Sequence, residues 1–367
     1  MSKPSLIFDA HLDISMNAME FNRDQRISLE EIRRSELLST ETHPHRARNT
    51  VCFPELRRGR IGVIVATQIA RYSPKFHKLP GWRSPEQAWA QTQGQLAYYR
   101  AMEELGELKQ LRTRQELAAH AQLWREADDD TAARLPIGYL LSLEGADSIL
   151  SWRHLEKARA DGLVAMGPAH YGPGIYGQGT DASGPLTARG RELLKEMDRL
   201  GIILDVTHLC DESFADALDR FQGPVWASHH NCRALANWNR QLSDSQIRRL
   251  VERGAVIGMA FDAIMMVHGW EYLRSKPSDF SLRIEKICEH IDHICQIAGN
   301  ARHVGIGTDL DGGFGTEQTP MDLDSIADIT SMQGLLARRG YSQPDIEGVF
   351  SLNFLNFLAL RLSDTTS

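Results

Sequence analysis

The apolar run Ser5–Leu6–Ile7–Phe8–Asp9–Ala10–His11 stops at a His-x-Asp pair, His11 and Asp13. Four later runs of the same kind stop at Glu144, His208, His229 and Asp309. Residues i and i+2 of an extended strand point to the same side, so His11 and Asp13 can hold one ion together. The other four enter singly from distant parts of the chain, each where an apolar run ends. A barrel of parallel strands collects side chains in this way at the C-terminal rim of its strands. The pattern predicts an α/β fold, a (β/α)8 TIM barrel with a binuclear metal site at that rim.

Strand-like runs are expected at 6–13, 60–69, 137–144, 163–166, 202–208, 224–229, 255–261 and 304–309. Helical patterns alternate with them: one starting at Pro85 and leading on to Leu105 and Leu108, then 115–126, a helix capped by Thr187, 211–220, one within 282–297, and one near 324–339. Periodicity alone would also allow an open doubly wound sheet. Eight runs with converging polar ends favour closure. The chain is expected to form one metal-dependent hydrolase domain over 1–367, with a polar insertion at 17–60 (a loop with a short helix) and a C-terminal helical segment at 340–362. The Gly-rich stretch Tyr171 to Gly184 is a candidate lid, and the sequence does not decide whether it moves.

A formal charge of −7 offers no general attraction to nucleic acid or to an anionic membrane, so neither is expected as a partner. No run has the length and apolarity of a membrane span, and no secretory leader is expected. Cys52, Cys210, Cys232, Cys288 and Cys295 are odd in number and lack zinc-finger spacing, which suggests free thiols and a cytoplasmic location.

Histidine nitrogen and carboxylate oxygen suit divalent zinc, manganese, iron or cobalt. Glu144, in Leu-Ser-Leu-Glu144-Gly, is costly to bury unpaired, and its two oxygens could bridge two ions or meet a rim cation. His208 and His229 end successive strands and are either ligands of a second ion or hydrogen-bonded core histidines. Strand alternation turns His230 to the other side. Asp309 could ligate and also hold the proton of an attacking water; Asp311 ranks second. Of the remaining polar residues, His43 and His45 are expected at the surface. Tyr72, His77, Trp82 and His268 are candidates to line a pocket, and Asp262 is a candidate near the substrate.

Taken together, Asp9-Ala-His11-Leu-Asp13, Leu143-Glu144-Gly145, Asp205-Val-Thr-His208, Ser228-His229 and His303-Val-Gly-Ile-Gly-Thr-Asp309-Leu-Asp311-Gly resemble the renal or membrane dipeptidase family, peptidase family M19 of the amidohydrolase superfamily. The resemblance implies two divalent ions per chain, usually zinc. His11 and Asp13 would hold one, His208 and His229 the other, and Glu144 would bridge them. A hydroxide between the ions would attack the peptide carbonyl, and Asp309 would pass its proton towards the leaving amine. His170 would stabilise the oxyanion, and Arg240 would receive the substrate carboxylate; Tyr72, outside the resemblance, is a substrate-contact candidate as a pocket-lining residue. A homodimer is also implied. Two segments depart from the usual family pattern: Ile-Ser-Met-Asn-Ala-Met-Glu after Asp13, and Gly167-Pro-Ala-His170-Tyr-Gly-Pro-Gly. The expected substrates are dipeptides, L-Xaa-D-Xaa included. Alternatives are N-acyl amino acids, other small amides or lactams, and, outside enzymes, a degenerate metal-binding protein.

Overall fold

Near-continuous apolar runs become strands buried on both faces in the computed structural model, which describes residues 5–40, 43–73 and 80–364. Among the described residues there are nine: β1 (Ile7–Leu12), β2 (Ile61–Ile69), β3 (Leu108–Gln110), β4 (Ile137–Glu144), β5 (Leu163–Met166), β6 (Ile203–Asp205), β7 (Val225–Trp226), β8 (Ile257–Met259) and β9 (Val304–Ile306). All pairings between them are parallel, in the order β7-β6-β5-β4-β2-β1-β9-β8, with β3 beside β4 off this path. The two ends meet: the Gly258 amide donates to the Ala227 carbonyl at 2.8 Å, and the Ala227 amide to the Val256 carbonyl at 3.1 Å. The eight strands of the path therefore close into a (β/α)8 barrel. Gly258 and Gly307 allow close packing here, since a Cβ on either would lie 1.9 Å from the Ser228 carbonyl oxygen.

The C-terminal segment packs on the barrel. Phe354, in the helix Asn353–Ala359, stacks on Phe8 with ring centroids 5.1 Å apart and meets Trp226 edge-on at 5.8 Å. Asn353 Nδ2 donates to the carbonyls of Ala301 and Val304, both at 2.7 Å.

Several elements differ from the sequence expectation. The helix Pro85–Glu104 stops sooner, because the chain turns at Gly106 (φ 74°) and puts Leu108 into β3. The segment 17–60 carries the helices Leu29–Leu37 and Phe53–Arg58 rather than one short helix. Strands β6, β7 and β9 end three residues before His208, His229 and Asp309. His208 (φ 70°) and Asp309 (φ 57°) adopt left-handed backbone instead, which no strand can continue through.

The stretch 171–184 is pinned at several points. Asp181 N donates to Tyr171 O at 2.7 Å, Ile175 N to Asp147 Oδ1 at 2.7 Å and Asn239 Nδ2 to Thr180 O at 2.7 Å. The first of these bonds closes the stretch on itself, and the other two tie it to Asp147 and Asn239. Among the described residues, no helix is long and apolar enough to cross a membrane. All five cysteines are free thiols.

Candidate metal centre

His11 lies in β1, Asp13 directly after it, Glu144 ends β4, and His208, His229 and Asp309 stand on the turns just beyond β6, β7 and β9. The fold brings all six together. Ligand atoms of three overlapping trios (His11, Asp13, Glu144; Glu144, His208, His229; His11, His229, Asp309) lie within 4.8 Å of one another. Glu144 divides the set between its oxygens. Oε2 is 3.8 Å from His11 Nε2, while Oε1 is 2.9 Å from His208 Nε2 and 3.3 Å from His229 Nε2. His11 Nε2 also stands 3.8 Å from Asp13 Oδ2 and 3.7 Å from Asp309 Oδ1.

The histidines are set from behind by hydroxyls. Nδ1 of His11 meets Thr67 Oγ1 at 3.3 Å, that of His208 meets Thr180 Oγ1 at 3.1 Å, and that of His229 meets Ser228 Oγ at 2.9 Å. A hydroxyl that takes Nδ1–H leaves Nε2 of His208 and His229 free to turn a lone pair towards the common centre, the arrangement a ligating imidazole needs, and His11 reaches it once its Nε2 proton is displaced. Two buried carboxylates brace the strand ends: Asp9 accepts from Thr308 N and Oγ1, and Asp205 accepts from the amides of Thr207 and Ser228.

The donor set fits divalent cations. His11 Nε2 and Asp13 Oδ1 are buried without a hydrogen-bond partner. Burial pushes the Glu144 carboxyl up to about 7 and lifts Asp309 well above the carboxylate range, the latter reinforced by Asp13, Glu144 and Asp262. Burial alone would lower His11, but Glu144, Asp13 and Asp309 outweigh it and push the imidazole up to about 10. Its proton stands where a cation would relieve the same repulsion, so metal binding would release it. Burial and then neighbouring positive groups hold His208 and His229 well below the usual histidine range, in the neutral form that ligates.

Around this cluster, His170 Nε2 lies 3.9 Å from Glu144 Oε1. Arg240 is buried; its Nη2 donates to the His229 carbonyl at 3.1 Å, while Nε and Nη1 have no partner. Tyr72 bridges Trp82 through its backbone, and its neighbour Arg71 hydrogen-bonds His170. His77 lies outside the described residues, and His268 is exposed. Asp262 caps the short helix Ala263–Met266 and accepts from Gln318 Nε2 at 2.7 Å. His45 is buried against Glu317 at 2.5 Å rather than at the surface. Asp311 faces Thr50, Val51 and Arg23 and not the cluster. Thr67, Thr180 and Arg71 were not singled out in the sequence; the common signal for Thr67 and Arg71 is a polar side chain at the rim end of β2.

A family model described as membrane dipeptidase (peptidase family M19) matches residues 1–360. A curated Klebsiella pneumoniae protein named for its place in the pqqA 5′ region is 30% identical over 215 residues, 56% of this chain and 75% of its own. Other curated relatives, dipeptidases of Schizosaccharomyces pombe among them, are matched over less than half of their length. The crystal structure of a metallopeptidase described as dipeptidase AC superposes with a TM-score of 0.78 at 22% identity, covering 98% of this chain and 99% of that one. A Rhodobacter sphaeroides metallopeptidase liganded with a phosphinate mimic of L-Ala-D-Ala gives 0.75 at 22% identity, covering 97% and 99%.

Proposed function

The chain belongs to the membrane dipeptidase family, peptidase family M19, and from that premise we propose that it hydrolyses the peptide bond of dipeptides, L-Xaa-D-Xaa substrates included, at a pair of zinc ions. The observation that carries this reading is the split of Glu144 between two groups of buried ligand atoms, one oxygen towards His11 and the other towards His208 and His229. His11 and Asp13 would hold one ion, His208 and His229 the other, with Glu144 between them and Asp309 at the edge of the set. Bound there, two divalent ions would lower the pKa of a water and polarise the scissile carbonyl.

The chain's own groups supply the rest. Arg240, whose Nε and Nη1 are buried and unpaired, offers free N–H donors and a fixed positive charge to the substrate's terminal carboxylate. Asp309, made a stronger base by burial, takes the proton of the attacking water and delivers it to the leaving amine nitrogen. His170 donates Nε2–H to the carbonyl oxygen as it gains negative charge. The mimic of L-Ala-D-Ala held by the Rhodobacter relative supports the inclusion of D-residues. The five free thiols, four of them buried, support a reducing compartment and hence the cytoplasm.

Turnover of L-Ala-L-Ala and L-Ala-D-Ala against their N-acetyl and C-amide derivatives tests the reading. Hydrolysis of the free dipeptides with weak activity on both capped forms is expected. Preference for the N-acetyl form would move the function to N-acyl amino acids, and a metal-loaded protein inert to every form would leave only metal binding.

A further inference from the structure

His170 can serve as an oxyanion donor only if its hydrogen sits on Nε2, and neutral imidazole has two tautomers. The structure contains a device that selects one. Arg71, just beyond β2, donates to His170 Nδ1 from Nε at 3.1 Å and from Nη2 at 3.0 Å. A ring nitrogen that accepts from a guanidinium cannot itself carry hydrogen, so the hydrogen is on Nε2, the atom facing Glu144 Oε1 at 3.9 Å. The opposite tautomer would aim a lone pair at the developing oxyanion.

Arg71 is itself held. Its Nη1 donates to the Pro80 carbonyl at 3.2 Å, and its guanidinium carbon stands 5.8 Å from the Tyr171 ring centroid. Tyr171 in turn meets the His170 ring edge-on at 4.9 Å. All three guanidinium nitrogens are thus engaged, in contrast to Arg240, whose Nε and Nη1 are unpaired. Arg71 is built to address His170, and Arg240 to address a ligand.

We propose that Arg71 is a positioning residue that locks His170 as an Nε2–H donor to the oxyanion of the tetrahedral intermediate. The proposal rests on the role given to His170 above. Bonds to the substrate are made by His170; Arg71 acts only through it.

The test uses the metal-loaded full chain with Arg71→Leu and Arg71→Lys, alone and combined with His170→Asn. Loss of one oxyanion donor costs on the order of 100-fold in kcat. The expected result is a fall in kcat of that order for Arg71→Leu, with KM within about threefold and metal content unchanged. Arg71→Lys, which keeps a donor, should recover a good part of it. In the His170→Asn background Arg71→Leu should add no further loss, because the two act as a unit. The ring 15N signals of His170 should show Nε2 protonated and Nδ1 bare in the parent, and that distinction should fade in Arg71→Leu. An unchanged kcat in Arg71→Leu, an additive loss in the double variant, or a parent ring protonated at Nδ1 would each overturn the proposal. Should the parent hydrolyse no dipeptide, the reading of the activity fails, and the ring signals alone still decide whether Arg71 sets the tautomer.

Discussion

Asp309 and Asp311 are two residues apart, both in left-handed backbone, yet they serve two buried clusters of charge that are completed in opposite ways. Asp311 belongs to the latch that fastens the segment 17–60. Its Oδ1 accepts from Thr50 N and Oγ1 at 2.7 and 2.8 Å, its Oδ2 accepts from Val51 N at 3.1 Å, and Arg23 stands 3.6 Å away. Arg23 in turn bonds Glu36 at 2.8 Å, Asn17 Oδ1 at 2.7 Å and the His45 carbonyl at 2.9 Å, and Glu36 also accepts from Arg46 and the Ala47 amide. Every charged atom of Arg23, Glu36 and Asp311 has a partner. The cluster around Asp309 instead leaves His11 Nε2, Asp13 Oδ1 and two nitrogens of Arg240 without one. Buried polar atoms are costly when unpaired. A protein that satisfies one cluster fully and leaves another open a few residues away has reserved the second for something that comes from outside.

The comparison is most easily broken by one substitution in each cluster. Asp309→Asn should lower kcat by about 100- to 10,000-fold through loss of the proton carrier, with metal content largely retained and the thermal midpoint no lower than the parent's, since a repelled carboxylate has been removed. Steady-state kinetics beside a melting curve checks both halves. Glu36→Ala should do the reverse. Arg23 would lose its closest carboxylate and keep only Asp311 at 3.6 Å and two neutral acceptors, at a cost of about 3 kcal/mol of stability, while kcat of the folded fraction in the cold stays within about twofold. A denaturant titration paired with a cold activity assay reads this, and a large kcat loss with unchanged stability would put the latch in the catalytic machinery.

A smaller effect separates Arg240 from Arg23. Arg240→Ala should weaken recognition of a free C-terminal carboxylate by about 10- to 100-fold in kcat/KM, the worth of a charge-assisted pair of about 1.5–3 kcal/mol, with little change on an amide-capped analogue. Equal losses on both would make Arg240 structural, like Arg23. The smallest contrast concerns the histidines. His290 is satisfied at both nitrogens, Nδ1 accepting from Cys232 N and Nε2–H donating to Met266 O, and burial pulls it down to about 4. A depressed pKa means the unfolded chain binds the proton first. His290 should therefore contribute nothing unfavourable above about pH 6.5 and destabilise progressively as pH falls from there to about 4, by up to about 3 kcal/mol. Unfolding free energy measured across that window, in the parent and in His290→Asn, would show whether the slope belongs to it; an unaltered slope would assign it elsewhere.

Much of this was legible in the sequence because barrel strands are buried on both faces and announce themselves as apolar runs. All eight barrel strands coincide with such runs, and the ligand candidates stand where those runs end. The facing of His208, His229 and Asp309 was not legible by alternation, since β6, β7 and β9 stop short and the turns beyond them choose the direction. Asp309 and Asp311 flank Leu310, and alternation gives them the same facing, so only the contact of Asp311 with Thr50, 261 residues away, tells them apart. Arg71 escaped notice for the same reason: its partner His170 is 99 residues on. The short strand β3 was hidden in the tail of a helical pattern, where Leu105 and Leu108 keep helical spacing after the helix has ended.

The most direct test is a metal titration of the metal-free protein, with dipeptide hydrolysis followed as zinc is added. Activity that is absent at the start and climbs to a plateau at two equivalents per chain is the expected result. Hydrolysis by the metal-free protein, or a plateau at one equivalent that Asp13→Asn or His208→Asn leaves unmoved, would contradict a two-ion centre divided by Glu144.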